Sequence, residues 1–236
     1  MRISHQQILS LLLSAVALTI ISCTQPAPAS GFLEKPARMS KSETAPYQLS
    51  WKKPDTDFTK YHKIKIAPVS TEHTRMRGIA LENWHKPSNK IYLSEINTNA
   101  KSLEDMFAKA FESVYPNRWS ADSSHPSLNL ELHLVEIAPS QPLLQTAGFF
   151  VTGGGFLNQP SVAIEGRFRD SHTNEVIATF ADRRKGDIAL LDLSKLQSYQ
   201  MHRKVMAQWA RQTVIWISIA DGQKVPRPNK LKLITW

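Results

Sequence analysis

Beyond position 23 the chain contains no cysteine. No disulfide can staple the remainder and no thiolate zinc site can nucleate it, so its core has to hold it unaided. The catalytic motifs of fixed spacing are missing too, with no Gly-x-Ser-x-Gly and no His-Glu-x-x-His. Three consecutive glycines occur at 153–155, but no Lys-Ser/Thr pair follows and no strand-to-helix setting surrounds them, which argues against a phosphate loop. His62, His73, His85, His125, His133, His172 and His202 are scattered without ligand spacing and read as surface groups. No metal and no other cofactor is expected. The apolar run Ile8–Ile21 falls short of the roughly 20 residues a membrane-spanning helix needs.

That short run has a different use. Met1-Arg2 gives it a positive start and Ser22 a small residue at its end, the pattern of a secretory signal peptide over 1–22. Ile20-Ile21-Ser22-Cys23 resembles a bacterial lipobox, with an aliphatic pair and a small residue ahead of the lone cysteine. A thiolate is the strongest side-chain nucleophile near neutral pH and suits thioether formation with a lipid donor. Cys23 is therefore the expected lipidation site, and the membrane the expected partner of its acyl chains. The alternative, an ordinary signal peptide with an incidental cysteine, is the lesser reading, because the position, the flanks and the downstream linker all agree with lipidation. Thr24 stands where an Asp would retain a lipoprotein in the inner membrane, so the outer membrane is expected, with the folded part in the periplasm.

Charged residues make up 21% and apolar residues 42% of the 236 positions, values of a globular chain rather than a disordered one. The formal charge is +9, falling to +8 when Arg2 leaves with the leader. Export makes nucleic acid an improbable partner for this charge, leaving lipid head groups, lipopolysaccharide phosphates and peptidoglycan carboxylates as available anions. The basic residues are spread along the chain, so a solvated surface is the plainer reading.

Residues 24–50 are rich in Pro, Ala and Ser and read as a flexible tether, interrupted by Phe32 and Leu33 as possible docking points. The division expected is a leader over 1–22, lipidated Cys and linker over 23–50, and one domain over 51–236. His62 to Val69 alternates Ile64 and Ile66 with lysines, a short strand with one wet face. Residues 70–93 look irregular, with Trp84 and Tyr92 as packing points. Ile96, Ala100, Leu103, Phe107, Ala110, Phe111 and Val114 recur at helical spacing, with Ser94, Asn97 or Thr98 as candidate caps and Pro116-Asn117 as the stop. Ser127–Ala138 alternates with period two, Leu128, Leu130, Leu132 and Leu134 on one side and Asn129, Glu131 and His133 on the other. "SVAIEGRFRD" and "NEVIATFADRR" form a hairpin about Ser171–Asn174, where Asn174 can take the left-handed conformation. A last helix runs from Leu196 to Ile219, with Tyr199, Met206, Trp209, Ala210, Thr213, Val214 and Ile217 on its buried side, and "KLKLITW" could add an edge strand. The order predicts an α+β fold, a largely antiparallel sheet with two main helices packed on one face.

The hairpin also carries a family resemblance. Glu165, Arg169-Asp170 and Thr173-Asn174-Glu175, followed by Asp182-Arg183-Arg184-Lys185-Gly186, resemble the signature of bacterial envelope lipoproteins grouped as domain of unknown function 3313. Other pieces match in order: Ser30-Gly31-Phe32-Leu33; Trp51, Pro54 and Tyr61 ahead of Ile64–Val69; and Trp209-Ala210. Asn174 departs from the Gly usual in that turn, and the residues after Leu33 also depart from the pattern. The resemblance implies a Gram-negative envelope lipoprotein and supplies no activity.

Asp170 and Asp182 with Arg183 and Arg184 lie at the two ends of one hairpin. They allow an acid/base site, but turn capping and ion pairing is the plainer reading, so these residues and Glu165 are expected to be structural. Leu143–Leu157 is apolar and glycine-rich; either it packs on the core, or Phe149 and Phe150 stay accessible as a partner contact. Three functional readings follow. First comes a non-catalytic lipoprotein acting through contacts with an unidentified envelope protein. The second is a module for peptidoglycan or anionic glycolipid, and the third a hydrolase.

Overall fold

The computed structural model of the chain describes residues 30–41, 45–61, 63–76, 90–115, 127–138, 160–185 and 200–220. Cys23, Trp84, Pro116-Asn117, the loop with Phe149 and Phe150, Tyr199 and the final "KLKLITW" lie outside them. The strands are β1 (Leu49–Lys52), β2 (Lys63–Ile66), β3 (Arg75–Met76), β4 (Ser127–Ala138), β5 (Ser161–Asp170) and β6 (Val176–Lys185). Two helices accompany them, α1 (Lys90–Val114) and α2 (Gln200–Ala220), with a 3-10 turn at Pro36–Arg38.

The long strand β4 organises the rest. Leu128, Leu130, Leu132 and Leu134 are all buried on the helix-facing side, as their period of two demands. An irregularity between Leu134 and Glu136 inserts Val135, which turns Ile137 into the core and sends Glu136 to the opposite face. β5 and β6 continue the meander antiparallel, joined by the expected turn, and Asn174 has the left-handed φ of 58° expected of it. The sheet runs β1-β6-β5-β4-β2, with β3 also on β4. β2 and β3 pair with β4 in parallel, because the long crossover containing α1 separates them from it.

Both helices pack on the leucine face. Ile96, Ala100, Leu103, Phe107 and Phe111 of α1 meet Val205, Met206, Trp209, Val214 and Ile217 of α2 over Leu130, Ile164, Phe168 and Phe180. This is the α+β sandwich read from the sequence, and it is the frame that fixes the opposite, outer face.

Four local expectations are corrected. α1 begins at Lys90, so Ser94, Asn97 and Thr98 lie inside it, and the Thr98 hydroxyl donates back to the Ser94 carbonyl at 2.8 Å instead of capping. β1 and β3 were not anticipated, being only four and two residues long. The tether does not extend to residue 50, because Leu33, Ala45 and Tyr47 are buried and Ser40 exchanges backbone bonds with Ser50. Two of the histidines expected at the surface, His133 and His202, are buried.

Candidate functional site

Alternate residues of β4, β5 and β6 send polar side chains to the outer face in transverse rows. Glu131 lies opposite Arg167, His133 opposite Glu165, and Glu136 opposite Ala163, which in turn faces Arg183. The small Ala163 leaves room for Arg183 to reach across it, and Arg183 Nη2 donates to Glu136 at 2.6 Å within a fully buried pair. Ser161 Oγ donates to the same carboxylate oxygen at 2.6 Å.

This face was expected to be wet, but residues 30–38 cover it as a strap. Ser30 donates to Glu165 through both its amide and its hydroxyl. The Phe32 ring stacks on His133 at 5.3 Å and lies 4.4 Å from the Arg167 guanidinium, which also donates to the Phe32 carbonyl at 2.9 Å. Arg167 and Arg169 share Glu131, and Arg169 reaches Glu34 at 2.7 Å. The Arg169 bond, with the nearby guanidinium charges, holds the Glu34 carboxyl below its usual range. Glu165 moves the other way: burial raises it, and the two Ser30 bonds only partly offset that.

The hairpin residues singled out from the sequence are each engaged by the fold. Asp182 is fully buried on the helix side and joins three segments: it accepts from the Gln48 amide at 3.0 Å, and from Arg184 Nε and Trp209 Nε1 at 2.6 Å each. Burial raises its carboxyl despite Arg184 and Trp209. Asp170 closes the turn by accepting from the amides of His172 and Thr173, and takes the Tyr61 hydroxyl at 2.9 Å. Burial alone would raise Asp170, but the bonds from Thr173, Tyr61 and His172 hold it down to about 2. The two aspartates cannot form an acid/base pair. Asp182 is level with Ile164, six residues along β5 from Asp170, or roughly 20 Å at strand rise.

Among the described residues, a larger and a smaller concavity open on the strap side. The larger, about 360 Å3, is lined by Lys35, Arg38, Trp51, Lys53, Arg167 and Glu175, among others, with the Arg38 guanidinium 5.8 Å from the Trp51 ring centre. The smaller, about 250 Å3, is lined by Ser30, Gly31, Phe32, Ser70, Glu72, His73 and His133. There Ser70 Oγ and His133 Nδ1 are 3.2 Å apart, a hydroxyl–imidazole contact. His133 Nε2 is buried without a hydrogen-bond partner among the described residues, so no carboxylate orients the ring as in a hydrolytic triad. Burial also lowers its basicity.

Sequence reasoning missed the strap contacts of Ser30, Glu34, Glu131, Arg167 and Arg169. The available signal was opposite charge on two strands expected to share a sheet face, Glu131 against Arg167 and Arg169.

No curated protein matches the chain. Among solved structures it is similar to a PelC dodecamer from Paraburkholderia phytofirmans, at 11% identity over 71% of this chain and 92% of that one, with a TM-score of 0.39. It is also similar to protein XCC0632 from Xanthomonas campestris, at 14% identity over 72% and 91%, TM-score 0.39. A minor lipoprotein from Acinetobacter baumannii matches at 13% identity over 69% and 94%, TM-score 0.34. The family model described as "Protein of unknown function (DUF3313)" matches residues 28–213, from just ahead of the strap to the buried turn of α2, and the chain belongs to that family.

Proposed function

We propose that the chain is a lipid-anchored envelope lipoprotein: exported, cut ahead of Cys23, and acylated there. It sits in the outer membrane, with its domain working in the periplasm through contacts with another envelope protein rather than by catalysis. The observation that carries this reading is Ile20-Ile21-Ser22-Cys23 behind a short apolar leader. The strap adds to it: Ser30 is already docked on the sheet, so only residues 24–29 separate the fold from the cysteine. Seven peptide steps reach at most about 25 Å, which keeps the domain close to the bilayer. The engagement of the hairpin carboxylates in structural bonds supports a non-catalytic role. Among the described residues no helix is long and apolar enough to cross a membrane.

Metabolic labelling with a fatty-acid analogue tests the anchor. Cys23→Ser should abolish labelling and leave an unprocessed or soluble chain; labelling that persists on the serine variant would end the reading. Thr24→Asp should move the protein toward the inner membrane on fractionation. Phe149 and Phe150 are proposed, on sequence alone, as the contact to the protein partner. The double change to Ser should remove a crosslinked partner while leaving the melting temperature nearly unchanged.

A further inference from the structure

Most cations of the outer face are spent inside the fold. Arg167 and Arg169 are paired with Glu131 and Glu34, and Lys53 with Glu175 at 2.7 Å. Lys35 and Arg38 are exposed, and neither has a carboxylate partner among the described residues. They stand together on the larger groove, where four cations face two carboxylates, so the lining carries an excess of positive charge. Trp51 forms the apolar wall, half-buried beneath the Arg38 guanidinium. An indole beside basic side chains suits the boundary between water and a bilayer, where one part of the surface is apolar and the other wet.

The covalent path decides which anion is nearest. Ser30 stands within about 25 Å of Cys23 even on a fully extended chain, and the strap from Ser30 to Arg38 lies on the same outer face as the groove. Acyl chains at Cys23 would therefore bring this face within direct reach of the membrane surface. Electrostatic attraction between exposed charges fades within about 10 Å in ordinary salt, so the tether has to permit direct approach, and its reach does.

We propose that this groove docks on the net-anionic phosphate headgroups of the membrane in which Cys23 is anchored, with Lys35 and Arg38 on the phosphate and Trp51 against the glycerol and upper acyl region. The proposal rests on the lipid-anchor reading. Each cation brought to an anionic surface strengthens association about fivefold, so the pair accounts for about 25-fold.

The test uses the full mature lipoprotein, its Cys23 acylation first verified by intact mass. It is reconstituted into phosphatidylcholine vesicles with and without phosphatidylglycerol, the headgroup of either lipid carrying a photo-crosslinker. Crosslinks to phosphatidylglycerol should map to peptides containing Lys35, Arg38 and Trp51, and should fall to the phosphatidylcholine level in Lys35→Glu/Arg38→Glu. Both positions are exposed, so the melting temperature of that variant should stay within a degree or two of the parent, as for surface substitutions away from buried contacts. Mapping on the unmodified protein stands whether or not the variant folds. Equal crosslinking of the two lipids, or crosslinks mapping only to other surfaces, would overturn the proposal and leave the anchor reading intact. A mature chain without acyl groups would remove both. Loss of the crosslinks on adding inorganic phosphate would assign the groove to a soluble anion, and pelleting with purified sacculi that depends on Arg38 would assign it to peptidoglycan; either result rules out the headgroup.

Discussion

At the scale of single residues, the core depends on one side chain being absent. Gly166 lies directly opposite Phe180 across β5 and β6, and a Cβ there would sit 2.2 Å from the ring's Cζ. The ring has nowhere to go, because Tyr47 stacks on it with centroids 4.2 Å apart. Gly166→Ala should therefore cost about 1–3 kcal/mol through overpacking, read as a lower urea midpoint with unchanged m-value. An unaltered midpoint would mean that Phe180 is free to tilt. Glu131 makes the opposite case. Its alternation with the leucines of β4 predicts a solvent-facing residue that tolerates Lys, but in the structure it holds two arginines at once. Glu131→Lys places a third cation between them and should cost about 1–2 kcal/mol by urea unfolding. Leu132→Asp, one position along and fully in the core, should cost several kcal/mol. Equal damage at the two sites would show that the outer face is as tightly packed as the helix face.

At the scale of elements, what the sequence made legible was whatever one strand or helix determines by its own period. β4, the hairpin and the buried side of α2 follow from apolar spacing because each has one face in a continuous core. The strap does not follow, since it has no period: Ser30, Phe32 and Glu34 are held by partners on strands about 100 or more residues further on. Its Pro, Ala and Ser content is that of a linker, and only the complementary charges on β4 and β5 make it dock. The start of α1 escaped for a related reason, as Ser94, Asn97 and Thr98 are good caps in isolation but are overridden by packing. The strap can be tested as a unit. Phe32→Ala/Glu34→Ala removes the stack on His133 and the bond to Arg169, and should speed hydrogen exchange at the Ser30 and Phe32 amides at least tenfold. Protection on β4, β5 and β6 should be retained. Unchanged exchange at those two amides would mean the Ser30–Glu165 bonds alone hold the strap.

At the scale of the whole molecule, stability should depend on a buried imidazole that spans the two layers. His202 of α2 donates through Nε2 to the Ala138 carbonyl at 3.0 Å, tying the start of that helix to the end of β4. Burial pushes its pKa down to about 4, below the ordinary 6.5, although its backbone contacts at Ala138 and Ser161 work the other way. A group whose folded pKa is depressed in this direction favours the neutral form in the fold. Above pH 6.5 it adds no pH dependence; between 6.5 and 4 the unfolded chain takes up a proton that the folded chain refuses, so stability falls as pH falls. The full effect approaches about 3 kcal/mol. Other groups act in the same range or below it. Burial of Asp182 and Glu165 raises their carboxyls, so protonation relieves a cost and acidification favours the fold. Asp170, held at about 2, contributes stability above its unfolded pKa that is lost only as pH drops from about 4 toward 2. The absolute curve mixes these contributions, and a comparison isolates one of them. His202→Gln keeps an amide donor for the Ala138 carbonyl but cannot titrate. Urea unfolding of both proteins from pH 7 to pH 4 should show the unmodified protein losing about 3 kcal/mol more than the variant, with most of the divergence between pH 6 and 4. Parallel curves would mean that the imidazole gains its proton inside the fold as readily as outside, and that the contact between α2 and β4 opens well before the sheet does.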